Sequence, residues 1–121
     1  MNHTDLYIDG QWRAGAGGER FDILNPATEE VLASVASAEI ADADAALDAA
    51  QAAFADWAGR TPRERAEVLR KAFELMTARL EDFARLITLE NGKARGDAMG
   101  EAAYAAEFFR WFSEEAVRAD G

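Results

Sequence analysis

The sequence contains no cysteine, a single histidine (His3) and only two prolines, and these absences narrow its chemistry first. Without cysteine there is no disulfide, no thiolate metal site and no thiol nucleophile. One histidine at the extreme start leaves no imidazole for a Ser-His-Asp relay or a zinc centre. Whatever chemistry the residues carry belongs to carboxylates, amines and hydroxyls. Basic charge is scarce as well: 13 Lys and Arg stand against 23 Asp and Glu, a formal net charge of −10. Such a surface repels phosphate backbones and anionic lipid, which argues against nucleic acid or a membrane as partner. No apolar run approaches the roughly 18 residues of a membrane-spanning helix. The opening MNHTDLYIDG has neither the basic nor the apolar region of a secretory signal, so a cytoplasmic location is expected.

What is present is enough hydrophobic character to fold, 50% of 121 residues, in a length that suits at most one domain. Residues 6 to 35 read as short strands. Leu6-Tyr7-Ile8, the two-residue turn Asp9-Gly10 and the returning Gln11-Trp12-Arg13 predict a hairpin. The glycine-rich AGAGG at 14 to 18 invites a nucleotide-loop reading, but Glu19 to Ile23 continues as an alternating strand. A phosphate loop needs a helix N-terminus behind its glycines, so a flexible connection is the better reading. Asn25-Pro26 forces a turn, after which Val31, Ala33 and Val35 share one face of another strand.

From about residue 39 the period becomes helical, and three helices are expected. In the first, Leu47, Ala50, Phe54 and Trp57 form a stripe that ends near Gly59. The second opens on a capping box, Thr61-Pro62-Arg63-Glu64, and carries one core stripe from Leu69 through Phe73, Met76, Leu80 and Phe83 to Ile87, stopping at Asn91-Gly92. The third begins near Asp97 or Ala98 with two apolar rows: Tyr104, Phe108 and Trp111, then Ala105, Phe109, Phe112 and Ala116. A helix this apolar expects neighbours on two sides, and the earlier helices account for one. The expectation is an incomplete unit over 1 to 121, of α+β class, with strands at 6 to 35 and a helical part at 39 to 121. Either further chain or a partner would cover the remaining face.

No active site emerges from the residues. Adjacent acids such as Glu29-Glu30, Glu81-Asp82 and Glu114-Glu115 point about 100° apart on a helix and read as solvated charge. Lys93, beside Glu90, would need burial or a second cation to act as a nucleophile. Helix C-terminal electrostatics suffice to explain both Lys93 and Arg95.

The ordered series YIDGQW, FDILNPATEEVLASVASA, LENGKA and GEAAYAAEFFRWFSEEA resembles the N-terminal part of an aldehyde dehydrogenase over about residues 6 to 121, and most closely the succinate-semialdehyde dehydrogenases. Two positions depart from the family pattern: Ala94 stands where Pro is usual after Gly-Lys, and Glu29 where Gly is frequent. The resemblance implies the N-terminal part of a three-layer α/β fold, with a Rossmann-like cofactor domain, a catalytic domain and an oligomerisation arm. It implies oxidation of an aldehyde, succinate semialdehyde by the subfamily, with NAD or NADP in a homo-oligomeric enzyme of full length. It also implies that the nucleophilic Cys, the general-base Glu, the oxyanion Asn and the dinucleotide loop lie downstream of the matching region. This stretch would then hold no catalytic and no cofactor-binding residue and would be inactive alone. Family members often hold a monovalent cation, for which the matching positions are the backbone carbonyls of Ile23 and Leu24 and the carboxylate of Glu90, all oxygen donors. The last helix is implied to lie along the substrate entrance, with Phe108, Trp111 or Phe112 behind it. The rival expectation is a free-standing acidic helical module that binds protein through the aromatic helix.

Overall fold

The computed structural model describes residues 3–118, which fall into two compact units with the boundary between Ala58 and Gly59. In the first unit, β1 (Leu6–Ile8) and β2 (Gln11–Arg13) pair antiparallel with Ile8 opposite Gln11. Asp9 and Gly10 both adopt positive φ, 51° and 73°, the mirror-image turn whose twist matches the flanking strands. β3 (Arg20–Leu24) and β4 (Val31–Ala36) form a second antiparallel pair, with a bulge between Ile23 and Leu24. Their connection is an Asx turn in which Asn25 Oδ1 accepts from Ala27 N at 2.9 Å. Glu29 sits there at φ 61°, the left-handed region that favours glycine. The strand pairs are tied at one end by Arg20, which donates to Thr4 Oγ1, Asp5 Oδ1 and the Ser34 carbonyl at 2.7–2.8 Å.

Helix α1 (Ile40–Gly59) ends at the expected glycine, but its apolar stripe does not enter a core: Leu47 is 68% and Phe54 63% exposed. The strands are too short to shelter a helix of 20 residues.

The second unit is helical. α2 (Pro62–Thr77) and α3 (Leu80–Asn91) both pack against α4 (Arg95–Glu115). Where the periodicity predicts one helix from Thr61 to Asn91, and so three in the chain, the structure has two here and four in all among the described residues. The run breaks at Ala78-Arg79, where Ala78 N bonds to Glu74 O, Arg79 N bonds to Met76 O, and Arg79 leaves helical geometry at φ −123°, ψ 21°. Neither glycine nor proline marks the break. The same stripe runs through both pieces, with Leu69, Phe73, Met76, Leu80, Phe83 and Ile87 all at least half-buried or intermediate in exposure. The core itself is built of small residues: Ala66, Ala84, Ala98, Ala102 and Ala106 are buried, which lets helix backbones approach closely.

Candidate functional site

The most enclosed charged group among the described residues is Asp42, 2% exposed, in the first turn of α1. Its Oδ2 accepts from Glu39 N at 3.0 Å and Ala16 N at 2.9 Å, and its Oδ1 accepts from Arg13 Nη2 at 3.0 Å. Bonds from the Glu39 and Ala16 amides, with a smaller contribution from the Arg13 guanidinium, hold the carboxyl below its ordinary 3.8, against the opposing effect of burial. The bond to Glu39 is half of a capping box, an acid at the third helical position reaching back to the amide of the capping residue. Around it Gly15 is required by contact with backbone, while Gly17 lies against the movable end of the Glu39 side chain. A Cβ on Gly15 would lie 2.0 Å from the Ser37 carbonyl oxygen, and one on Gly17 2.2 Å from Glu39 Oε1. The connection at 14 to 18 is therefore a seated turn, closed by Gly18 N to Gly15 O at 2.9 Å, rather than a flexible one. Behind it comes β3 and not a helix, and the Ala16 amide already faces Asp42, so the loop offers no cradle for a pyrophosphate.

In the second unit the corner LENGKARG is a bend between α3 and α4. Gly92 takes the left-handed C-cap, φ 79°, with its N–H bonded to Thr88 O. Lys93 pairs with Glu101, and Arg95 with Glu81, so neither turns to Glu90. Glu90 itself is exposed on the last turn of α3. Thr88 Oγ1, two residues earlier, is buried without a partner. Of the residues matched to a cation, Ile23 and Leu24 stand at the β3 bulge of the first unit and Glu90 at this corner of the second. Among the described residues no group of three or more His, Cys, Asp or Glu could hold a metal ion, and no helix is long and apolar enough to cross a membrane.

Helix α4 turns a small-residue face inward, Ala98, Ala102, Ala106 and Ser113. Its aromatic rows mostly look out: Tyr104 is 66%, Phe108 47%, Trp111 59% and Phe112 53% exposed, with Phe109 intermediate. With Glu107, four of these line an open groove of about 310 Å³. Tyr104 and Phe108 meet edge to face, ring centroids 4.9 Å apart. The groove is lined by aromatic rings and a single carboxylate. Sequence reasoning missed Asp42, although an acid three residues beyond a helix start is a capping signal. Its link to Arg13, 29 residues away, has no local trace.

Comparison with known proteins places this geometry. A model described as "Aldehyde dehydrogenase family" matches residues 12–121. A succinate-semialdehyde dehydrogenase of Paenarthrobacter nicotinovorans is 62% identical over 88 residues, 73% of this chain and 20% of the relative. An NADP(+) succinate-semialdehyde dehydrogenase of Saccharomyces cerevisiae is 45% identical over 115 residues, 95% of this chain and 23% of the relative. The crystal structure of succinate-semialdehyde dehydrogenase from Burkholderia pseudomallei superposes with a TM-score of 0.91 at 43% identity, covering 95% of this chain and 24% of that one. The chain thus spans about a quarter, or less, of the length of the relatives it matches. Its short strands, its helices and the order of its motifs reproduce the N-terminal part of their fold, and with the family match running over nearly its whole length the chain belongs to the aldehyde dehydrogenase family.

Proposed function

We propose that this chain serves as the N-terminal part of a cytoplasmic, homo-oligomeric aldehyde dehydrogenase that oxidises succinate semialdehyde to the acid with NAD or NADP. The observation that carries this reading is the identity to two enzymes named for succinate semialdehyde, 62% and 45%, along motifs in the same order. In the complete enzyme a nicotinamide cofactor supplies the hydride acceptor. The glycine loop at 14 to 18 does not fit that group, because it runs into a strand and its Ala16 amide is bonded to Asp42. The residues of this chain hold no nucleophile and carry no catalytic step. Their contribution is architectural: the alanine-lined packing of α4 on α2 and α3 fixes the orientation of the aromatic row Tyr104, Phe108 and Trp111. In this proposal that row borders the path of the aldehyde.

A monovalent cation held by the carbonyls of Ile23 and Leu24 and by Glu90 belongs to the same reading. The donor chemistry fits a hard cation, and the bulge at Ile23/Leu24 is a place where backbone groups are re-aimed. The test of function is steady-state oxidation by the complete protein of succinate semialdehyde and of butanal, with each nicotinamide cofactor. An enzyme built for succinate semialdehyde should favour the carboxylated aldehyde by at least about tenfold in kcat/KM. Equal rates, or a preference for butanal, would remove the substrate assignment while leaving the family intact.

A further inference from the structure

Hairpin β1–β2 has three residues in each strand, and a lone two-stranded hairpin of that size is marginal in water. Its order therefore has to come from what holds its ends. At the β1 end the chain just before the strand is held by the Ala36 amide, which donates to the Thr4 carbonyl at 2.8 Å, and by Arg20, whose ion pair with Asp5 is open to solvent, 36% and 42% exposed, and such pairs contribute little. At the β2 end the holder is Arg13, whose guanidinium reaches a carboxylate only 3% exposed. The two oxygens of Asp42 face different ways. Oδ2 receives two backbone amides, from the glycine loop at Ala16 and from the start of α1 at Glu39, while Oδ1 receives only Arg13.

We propose that Asp42 is a two-sided latch in which Oδ2 seats the glycine loop on the start of α1 and Oδ1, through Arg13, holds the hairpin Leu6–Arg13 in place. The hairpin can then be released as one piece while the loop stays seated. The room beneath supports this division of labour, because Gly15 lies against the Ser37 backbone with no space even for a methyl group. The loop is held by shape as well as by Oδ2, whereas all three residues of β2 are exposed and the hairpin's own burial is limited to the half-covered Leu6 and Ile8 of β1.

The division of labour predicts different results for substitutions that look alike. Asp42→Asn keeps an oxygen for the two amides but presents an NH2 group to the Arg13 guanidinium, donor against donor. Arg13→Gln removes the same link from the other side and leaves the carboxylate intact. Amide hydrogen exchange, read residue by residue in the full chain, tests the proposal. Both variants should speed exchange across Leu6–Arg13 by about tenfold or more while Ala16 and Glu39 stay protected. Asp42→Ala should expose Ala16 and Glu39 too, Arg20→Gln should change the hairpin less than Arg13→Gln, and the amides of α4 should keep their rates in all four. Unchanged hairpin exchange in Arg13→Gln overturns the proposal. So does loss of Ala16 and Glu39 protection in Asp42→Asn equal to that in Asp42→Ala, since the oxygens would then have no separate roles.

Discussion

The start of α2 offers a perturbation whose size can be worked out bond by bond. Thr61 Oγ1 accepts from Glu64 N at 3.3 Å, and Glu64 Oε2 accepts from Thr61 N at 2.8 Å and from Thr61 Oγ1 at 2.8 Å. Thr61→Ala removes the hydroxyl, orphaning the Glu64 amide and one of the contacts that keep the Glu64 carboxylate turned back. The cost of losing such a cap is about 1 kcal/mol, within a range of roughly 0.5–2. One kcal/mol is roughly a fivefold change in an opening equilibrium at room temperature. The amides of Glu64 and Arg65 in Thr61→Ala should therefore exchange about fivefold faster than in the parent. Thr61→Ser, which keeps the hydroxyl, should stay within about twofold. The two halves of the box share partners, so Thr61→Ala combined with Glu64→Gln should cost less than the sum of the single changes. Equal exchange in Thr61→Ala and the parent, or a Thr61→Ser variant as fast as Thr61→Ala, would refute the reasoning, because the hydroxyl would then not be what caps the helix.

Other consequences follow from the same geometry. Gly92 at φ 79° and Glu29 at φ 61° occupy the same backbone region with opposite suitability. Gly92→Ala should lower stability by about 1 kcal/mol, and Glu29→Gly should leave it unchanged or raise it by less than that, in denaturant titration. Asp42 has a folded-state pKa below its ordinary 3.8, so its contribution is fully present above that ordinary value and is lost as the pH falls through the depressed one. Among the described residues the charged group paired with it is Arg13. Acid titration of the hairpin amides should show this loss in the parent and not in Asp42→Asn. The aromatic face of α4 should bind an apolar fluorescent dye, and Phe108→Ser with Trp111→Ser should reduce that signal without lowering the thermal midpoint, since both rings are about half exposed or more.

Local chemistry was what the sequence made legible. Asp9-Gly10, the Thr61 box and Asn91-Gly92 each announce a backbone event within a few residues, and each occurs where expected. The uncovered aromatics of α4 were legible too, because two apolar rows exceed what one packing face can hide. Three features had no local signal. The break at Ala78-Arg79 lacks glycine and proline, the residues that mark such a break in sequence. The exposure of Leu47 and Phe54 depends on how few residues the strands can offer as cover. The Arg13 to Asp42 link joins a strand to a helix across a glycine loop, and only the folded chain brings them together. The cation residues illustrate the same division, for Ile23, Leu24 and Glu90 came from resemblance and no spacing in the chain relates them.

The proposed function makes these 121 residues one part of an oxidising enzyme whose chemistry is carried by other residues. The most direct measurement is cofactor reduction with succinate semialdehyde, run in parallel on this chain alone and on the complete protein. The account predicts reduced nicotinamide from the complete protein and none from the chain by itself. Turnover by the isolated chain, or silence from the complete protein with both NAD and NADP, would contradict it.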